Sequence, residues 1–242
     1  MCTVTFIPAG EKIFISSNRD EKKARSQALV SSHYAMKTGK VLFPKDTDGG
    51  GTWFALHENG NVVVFLNGGR VNHISMPPYR KSRGLILLDL VDSQTPFADF
   101  LSIDLNNIEP FTAIIWDDKR LFECCWDGFE KYHGQLQPLQ PHIWSSVTLY
   151  EEKIRSKRKK WFTDWLRENP LPATDAILHF HQFTGEGDSR NDLFMNRDEL
   201  VGTVSITSLE LTEKTGFLTY LDIKSRQSWL HRMPFTKTAV EK

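Results

Sequence analysis

The alternation of apolar and polar positions predicts a chain built mostly of short β-strands. Apolar runs at residues 4–7 and 13–15 flank a Pro-Ala-Gly-Glu turn, a pattern typical of a β-hairpin. The runs 52–56 and 62–67 flank an Asn-Gly turn and predict a second hairpin. Further β-rich runs predict strands at residues 111–116, 120–126, 142–146, 203–209, 217–223 and 228–233.

Helical spacing of apolar residues is confined to a few segments between the strands. Helices are predicted at residues 79–93, 96–101, 150–169 and 174–183. We expect Thr174 to cap the last of these helices, whereas residues 22–32 fit either an irregular connection or a short helix. The order of elements lacks regular βαβ alternation, which favours an α+β fold with antiparallel sheets covered by helices. No linker is visible, so we expect one domain over residues 1–242.

Composition and charge exclude several classes of protein. The 242 residues are 40% hydrophobic and 25% charged, and 30 basic residues balance 30 acidic ones. This balance gives no indication of nucleic-acid binding. Three cysteines do not make a disulfide framework, and neither a secretory signal nor a transmembrane run of about 18 apolar residues is visible. We therefore expect a soluble cytoplasmic protein that binds a small molecule, with its oligomeric state left open.

The cysteine and histidine pairs of the chain do not predict a metal site. Cys124 and Cys125 are adjacent within a strand pattern, where side chains point to opposite faces, so we interpret them as structural. His179 and His181 lie about 200° apart on a helical wheel. No carboxylate or cysteine cluster completes either pair.

Two further patterns bear on phosphate binding. The basic run at residues 153–160 fits either a phosphate site or, more commonly, the solvated face of an amphipathic helix. The glycine run at residues 49–51 lacks the Lys-Ser/Thr of a phosphate-binding loop, so it supports nucleotide binding only weakly. Three consecutive glycines indicate instead a close approach of another backbone segment.

The strongest candidate chemistry lies at the amino terminus. Cys2 follows Met1 directly, and removal of Met1 would place a free α-amine on the residue that carries the thiol. An α-amine with a pKa of about 8 can accept the thiol proton near neutrality. The first hairpin would bring Asp20 close enough to position this amine, and Asn67 could donate to a developing oxyanion. The alternative is an ordinary terminal cysteine beside a solvated charged turn.

Four motifs resemble, in order, the NRDE family of Transport and Golgi organisation protein 2-like proteins. They are Met-Cys-Thr at residues 1–3, Asn-Arg-Asp-Glu at 18–21, Gly-Gly-Thr-Trp-Phe-Ala at 50–55 and Leu-Asn at 66–67. The family is in turn similar to N-terminal nucleophile hydrolases of the choloylglycine hydrolase and penicillin V acylase type.

The resemblance implies a four-layer αββα sandwich of antiparallel sheets. It also implies roles for three residues: Cys2 as nucleophile, Asp20 as the carboxylate near the α-amine, and Asn67 as an oxyanion-hole donor. The residues of the same motifs that we expect to bind substrate are Asn18, Arg19 and Trp53.

The sequence departs from the acylase pattern at polar positions. The acylases carry a second asparagine where this chain reads Ser145-Ser146, and their first arginine falls at Ser17. NRDE proteins often read Gly-Thr-Arg where this chain reads Gly-Thr-Val at residues 202–204. Two functions therefore stay open. One is an N-terminal cysteine amidohydrolase or acyl-transfer enzyme acting on a small amide or acyl substrate. The other is a non-enzymatic carrier such as a haem chaperone, or a factor in lipid or coenzyme A metabolism and Golgi organisation.

Overall fold

The fold was analysed in a computed structural model, which describes residues 3–236. The strands within that range are β1 (Thr3–Ala9), β2 (Lys12–Lys22), β3 (Leu29–Ala35), β4 (Lys40–Lys45), β5 (Phe54–His57), β6 (Val62–Asn67), β7 (Phe111–Asp117), β8 (Arg120–Trp126), β9 (Lys131–Leu136), β10 (His142–Ser145), β11 (Asn196–Arg197), β12 (Val201–Leu211), β13 (Thr215–Asp222) and β14 (Gln227–Pro234). The helices are α1 (Arg83–Val91), α2 (Pro96–Ser102), α3 (Glu152–Glu168) and α4 (Thr174–Phe183).

The strands form two seven-stranded antiparallel sheets. The first sheet has the order β10-β1-β2-β12-β13-β14, with β11 paired to β12. The second sheet runs in simple sequence order from β3 to β9. Both hairpins predicted from the sequence are confirmed, because β1 pairs with β2 and β5 pairs with β6.

The hydrophobic core separates into three clusters that define four layers. Residues such as Phe6 and Phe54 fill the space between the two sheets. On the outer face of the second sheet, α1 and α2 contribute Leu87 and Phe100 to another cluster. On the outer face of the first sheet, α3 and α4 contribute Phe162 and others to a third. The sequence-based prediction of an αββα sandwich is therefore confirmed.

Of the two alternatives for residues 22–32, the structure shows the irregular connection, which runs from the end of β2 into β3. Two other local features differ from the expectation. Strand β9 was not predicted, because it is a polar edge strand with little apolar alternation. Ala173 rather than Thr174 occupies the cap of α4, and the Thr174 hydroxyl donates to Glu210 Oε2 at 3.1 Å. In the described range, no helix is both long enough and apolar enough to span a bilayer.

The glycine run at residues 49–51 allows two backbones to touch, as its sequence indicates. A Cβ on Gly51 would lie 2.2 Å from the carbonyl carbon of Gly84, in the first turn of α1. The amide of Thr52 donates to the Gly84 carbonyl at 3.2 Å. This contact fixes α1 against the segment that leads into Trp53, one wall of the site described next.

Candidate active site

The candidate site lies where the described chain begins, at the amino-terminal end of β1. Thr3 pairs with Asn18 of β2 on one side and with Ser145 of β10 on the other. Cys2, the predicted nucleophile, lies outside the described residues, so its role stays a prediction.

Asp20 is buried beside this strand end and is held by two hydroxyl groups. Its Oδ1 accepts a hydrogen bond from Thr203 Oγ1 at 2.6 Å, and its Oδ2 accepts one from Tyr150 OH at 2.9 Å. All three side chains are less than 5% exposed. The pairing of β2 with β12 shifts register between Thr203 and Ser205, next to this contact. Hydroxyl donors stabilise an ionised carboxylate without neutralising it, so Asp20 can still attract a cation.

Sequence reasoning missed both partners of Asp20. Tyr150 is 130 residues away from Asp20, and Thr203 is 183 residues away. In the sequence, Thr203 stands out only as part of a Gly-Thr-Val segment that departs from the family pattern. Its role becomes visible only when the register of β12 on β2 is known.

Arg19 faces the opposite side of β2 from Asp20 and borders a polar cavity of about 390 Å³. Its guanidinium carbon lies 4.4 Å from the centre of the Trp53 ring, and its Nη2 lies 3.6 Å from Asp46 Oδ2. Asn67 lines the same cavity. We call this space the Arg19 cavity, and its other charged lining residues are Glu21, Arg25, Lys81, Arg83 and Glu109. The structure thus brings together three predicted site residues, Arg19, Trp53 and Asn67.

A serine fixes the backbone of Asn67 at the end of β6. The Ser146 hydroxyl donates to the Asn67 carbonyl at 2.7 Å and lies 2.9 Å from Thr148 Oγ1. Ser146 is one of the two serines found where the acylases carry their second asparagine. Here its hydrogen bond connects the end of β6, in the second sheet, to the segment that follows β10.

Asn18 does not line the Arg19 cavity, in contrast to the substrate-binding role expected from the sequence. Its amide nitrogen donates to the carbonyls of His181 and Leu193, at 3.1 and 2.8 Å, and its Oδ1 contacts His181 Nδ1. Asn18 therefore fastens the first sheet to α4. His181 is fully buried, and desolvation together with the nearby charge of Arg158 lowers its pKa to about 3.

A buried arginine fixes the start of β1. The Arg158 guanidinium lies 3.6 Å from the centre of the Tyr150 ring, and Arg197 lies 5.2 Å from the same ring. Arg158 donates to the Thr3 hydroxyl and to the carbonyls of Asn191 and Asp192. The basic run of α3 gave no sign that one of its members would be fully buried.

The described residues contain no candidate metal centre. Among them, no group of three or more His, Cys, Asp or Glu side chains is placed to hold an ion. Cys124 and Cys125 are buried, as their structural interpretation requires. Burial raises the pKa of Cys125 to about 11 and that of Cys124 further, so both thiols stay protonated near neutrality.

Solved structures of known hydrolases share this fold. An arginine-to-leucine variant of conjugated bile acid hydrolase from Clostridium perfringens matches with a TM-score of 0.60 at 11% identity, covering 99% of this chain and 100% of the other. A cysteine-to-alanine variant of the same enzyme matches with a TM-score of 0.57 at 11% identity and covers 98% of each chain. The Caenorhabditis elegans N-acylethanolamine-hydrolyzing acid amidase ortholog matches with a TM-score of 0.58 at 10% identity, covering 86% and 92%.

Sequence comparison identifies the family. No curated protein sequence matches the chain. The family model described as Transport and Golgi organisation 2 matches residues 1–184, more than half of the chain. The chain therefore belongs to the Transport and Golgi organisation 2 family, also called the NRDE family, and has the fold of the N-terminal nucleophile hydrolases.

Proposed function

We propose that the protein is an N-terminal cysteine amidohydrolase or acyl-transfer enzyme that acts on a small amide or acyl substrate. One observation carries the proposal: a buried carboxylate, Asp20, is oriented by two hydroxyls at the strand end that directly follows Cys2. Arg19, the residue before Asp20 in β2, lines the Arg19 cavity. Structures of an amidase and of a bile acid hydrolase with this fold support the reaction class.

The proposed reaction begins with proton transfer within residue 2. Once Met1 is removed, the α-amine accepts the thiol proton and becomes an ammonium, which Asp20 stabilises.

The thiolate then attacks the substrate carbonyl and forms a tetrahedral oxyanion. The Asn67 amide is the proposed donor to this oxyanion, and the hydrogen bond from Ser146 to the Asn67 carbonyl fixes its backbone. Collapse of the intermediate breaks the bond to the leaving group, which takes the proton from the ammonium. The resulting thioester at Cys2 is cleaved by water or by an acceptor nucleophile, which regenerates the thiol.

An electrophilic acyl probe followed by intact mass measurement tests this proposal. We expect wild-type protein lacking Met1 to be labelled once, and Cys2→Ala not to be labelled. Asp20→Asn should slow labelling by at least about tenfold, because it removes the charge that stabilises the ammonium. Cys125→Ala is the matched control, because its thiol is buried and protonated, and it should label like wild type. Equal labelling of Cys2→Ala, or retention of Met1 in the mature protein, would contradict the proposal.

A non-catalytic carrier of a small ligand, such as haem, is the alternative proposal. It predicts ligand binding that survives both Cys2→Ala and Asp20→Asn, together with the absence of probe labelling. Titration with haem, followed by its absorbance spectrum, separates the two functions, because the catalytic proposal requires no spectral shift.

A further inference from the structure

A second cavity of about 350 Å³ lies between α3 and the strands around β10. We call it the α3 cavity. The residues that matter for its chemistry are Arg70, Glu123, Ser146, Glu152, Arg155 and Lys159. Three of these side chains carry positive charge, and two of the three belong to the basic run of α3.

Three other cations of that run make contacts elsewhere, whereas Lys153 is exposed near the start of α3. Lys157 forms an ion pair with Glu186 at 2.7 Å, and Lys160 forms one with Asp164 at 2.6 Å. Arg158 is buried on another face of the helix. Arg155 and Lys159 are four positions apart, so they share one helix face, and that face borders the α3 cavity.

The cations of the α3 cavity include a buried donor that lacks an acceptor. Arg155 pairs with Glu152, but its Nε is buried and has no hydrogen-bond partner among the described residues. Lys159 forms no salt bridge with any described residue, and Arg70 lies 4.6 Å from the centre of the Tyr132 ring.

Each of the two carboxylates of the cavity already accepts a hydrogen bond from a neighbouring side chain. Glu152 also receives the Ser156 hydroxyl at 3.3 Å, and Glu123 Oε2 accepts from the Trp144 indole at 2.7 Å. A buried donor without an acceptor is unfavourable, and an oxyanion would satisfy it.

The α3 cavity adjoins the candidate active site. Ser146 lines the α3 cavity, while its hydroxyl bonds the carbonyl of Asn67, which lines the Arg19 cavity. Ser145, also in the lining, pairs with Thr3 at the start of β1. The α3 cavity therefore borders the start of β1 at Thr3.

We propose that the α3 cavity is an oxyanion-binding site, with Arg155, Lys159 and Arg70 as its donors, for a phosphate or carboxylate group carried by the substrate. The assignment of that group to the substrate rests on the proposed function, whereas the binding of an anion does not. The substrate class that fits this site is an anionic acyl compound rather than a neutral lipid amide.

Calorimetric titration at constant ionic strength with inorganic pyrophosphate and, separately, succinate tests the site and distinguishes phosphate from carboxylate. We expect saturable one-to-one binding of at least one of these anions. Lys159→Gln should weaken it by roughly tenfold, because a charge-assisted contact is lost. Lys160→Gln is the matched control on the same helix, and it should leave binding unchanged.

A further variant moves affinity in the opposite direction. Glu123→Gln keeps an oxygen acceptor for the Trp144 indole but removes a negative charge from the cavity, so it should tighten binding several-fold. Binding of neither anion up to about 10 mM, or equal losses in Lys159→Gln and Lys160→Gln, would overturn the inference.

Anion titration and acyl-probe labelling of the same wild-type protein separate this inference from the proposed function. Anion binding without labelling of Cys2 supports the site and contradicts the catalytic proposal. Labelling of Cys2 without binding of either anion supports the catalytic proposal and contradicts the proposed anion site.

Discussion

The Asp20 carboxylate accepts hydrogen bonds from two hydroxyl groups that lie in distant parts of the chain. One of these donors, Tyr150, is polarised by nearby arginines. Tyr150 donates to Asp20 while its ring contacts Arg158 at 3.6 Å and Arg197 at 5.2 Å. Two nearby cations make a phenol a stronger hydrogen-bond donor, because they stabilise negative charge on its oxygen. Tyr150 is therefore a positioning residue that acts through Asp20.

Tyr150→Phe should slow acyl-probe labelling by roughly tenfold and lower the free energy of unfolding by about 2 kcal/mol, because a hydrogen bond to a buried carboxylate is lost while the ring still stacks on Arg158. The measurements are the labelling rate at pH 7 and urea denaturation.

Tyr34→Phe is the control for that substitution. Tyr34 stacks on Phe43 in the second sheet and has no contact with Asp20. An unchanged labelling rate in Tyr150→Phe, or an equal loss of rate in Tyr34→Phe, would show that the hydroxyl does not act through Asp20.

At the scale of elements, the position of α1 depends on a contact between two glycines. Gly51, Thr52 and Gly84 all line the Arg19 cavity, and a Cβ on Gly84 would lie 2.9 Å from both the nitrogen and the oxygen of Thr52. The contact partners are backbone atoms, which cannot move aside as a flexible side chain could. The close approach therefore shapes the cavity as well as the packing of the helix.

Gly84→Ala should lower the free energy of unfolding by about 2 kcal/mol, although alanine in a helix is ordinarily favoured over glycine by about 1 kcal/mol. The steric conflict with Thr52 outweighs the gain in helix propensity. Urea denaturation measures the change. Gly134→Ala is the control, because a Cβ there meets nothing within 4 Å, and it should not destabilise the protein. Unchanged or increased stability in Gly84→Ala would contradict the packing argument.

At the scale of the whole molecule, His181 links the first sheet to the helices that cover it. The Asn18 amide nitrogen is committed to two carbonyls, so its Oδ1 must accept from His181 Nδ1–H, and the Thr5 hydroxyl then donates to Nε2. This neutral tautomer joins β1, β2 and α4. Protonation would place a buried cation near Arg158, which explains the lowered pKa.

Stability should therefore fall as the pH decreases from the unfolded histidine pKa of about 6.5 toward the folded value of about 3. In that window the unfolded chain binds a proton that the folded protein excludes. For this residue, the loss between pH 7 and pH 5 should be roughly 2 kcal/mol. Urea denaturation of wild type and His181→Gln at both pH values isolates the contribution.

The His181→Gln variant should be less stable at pH 7 but should lack this part of the pH dependence. His133→Gln alters an exposed histidine and should keep the wild-type dependence. Equal pH dependence in wild type and His181→Gln would show that His181 is accessible to protons in the folded protein.

The sequence by itself determined most of the elements and the layered architecture. The apolar runs at residues 4–7 and 62–67 indicate buried strands, and the helical spacing at residues 174–183 indicates a helix with one buried face, so local patterns were sufficient. The motifs also identified Arg19, Trp53 and Asn67, which the structure places on one cavity. The polar edge strand β9 escaped notice because neither of its faces requires a continuous apolar pattern.

Only the tertiary structure decided which polar groups meet. Tyr150 and Thr203 reach Asp20 across more than a hundred residues, so their contact depends on strand register and on the crossing of α3 over the first sheet. The burial of Arg158 and the position of Arg155 and Lys159 on the border of the α3 cavity depend on that same packing. Local sequence records whether a face is buried, but the partner of a buried polar group is set by long-range geometry.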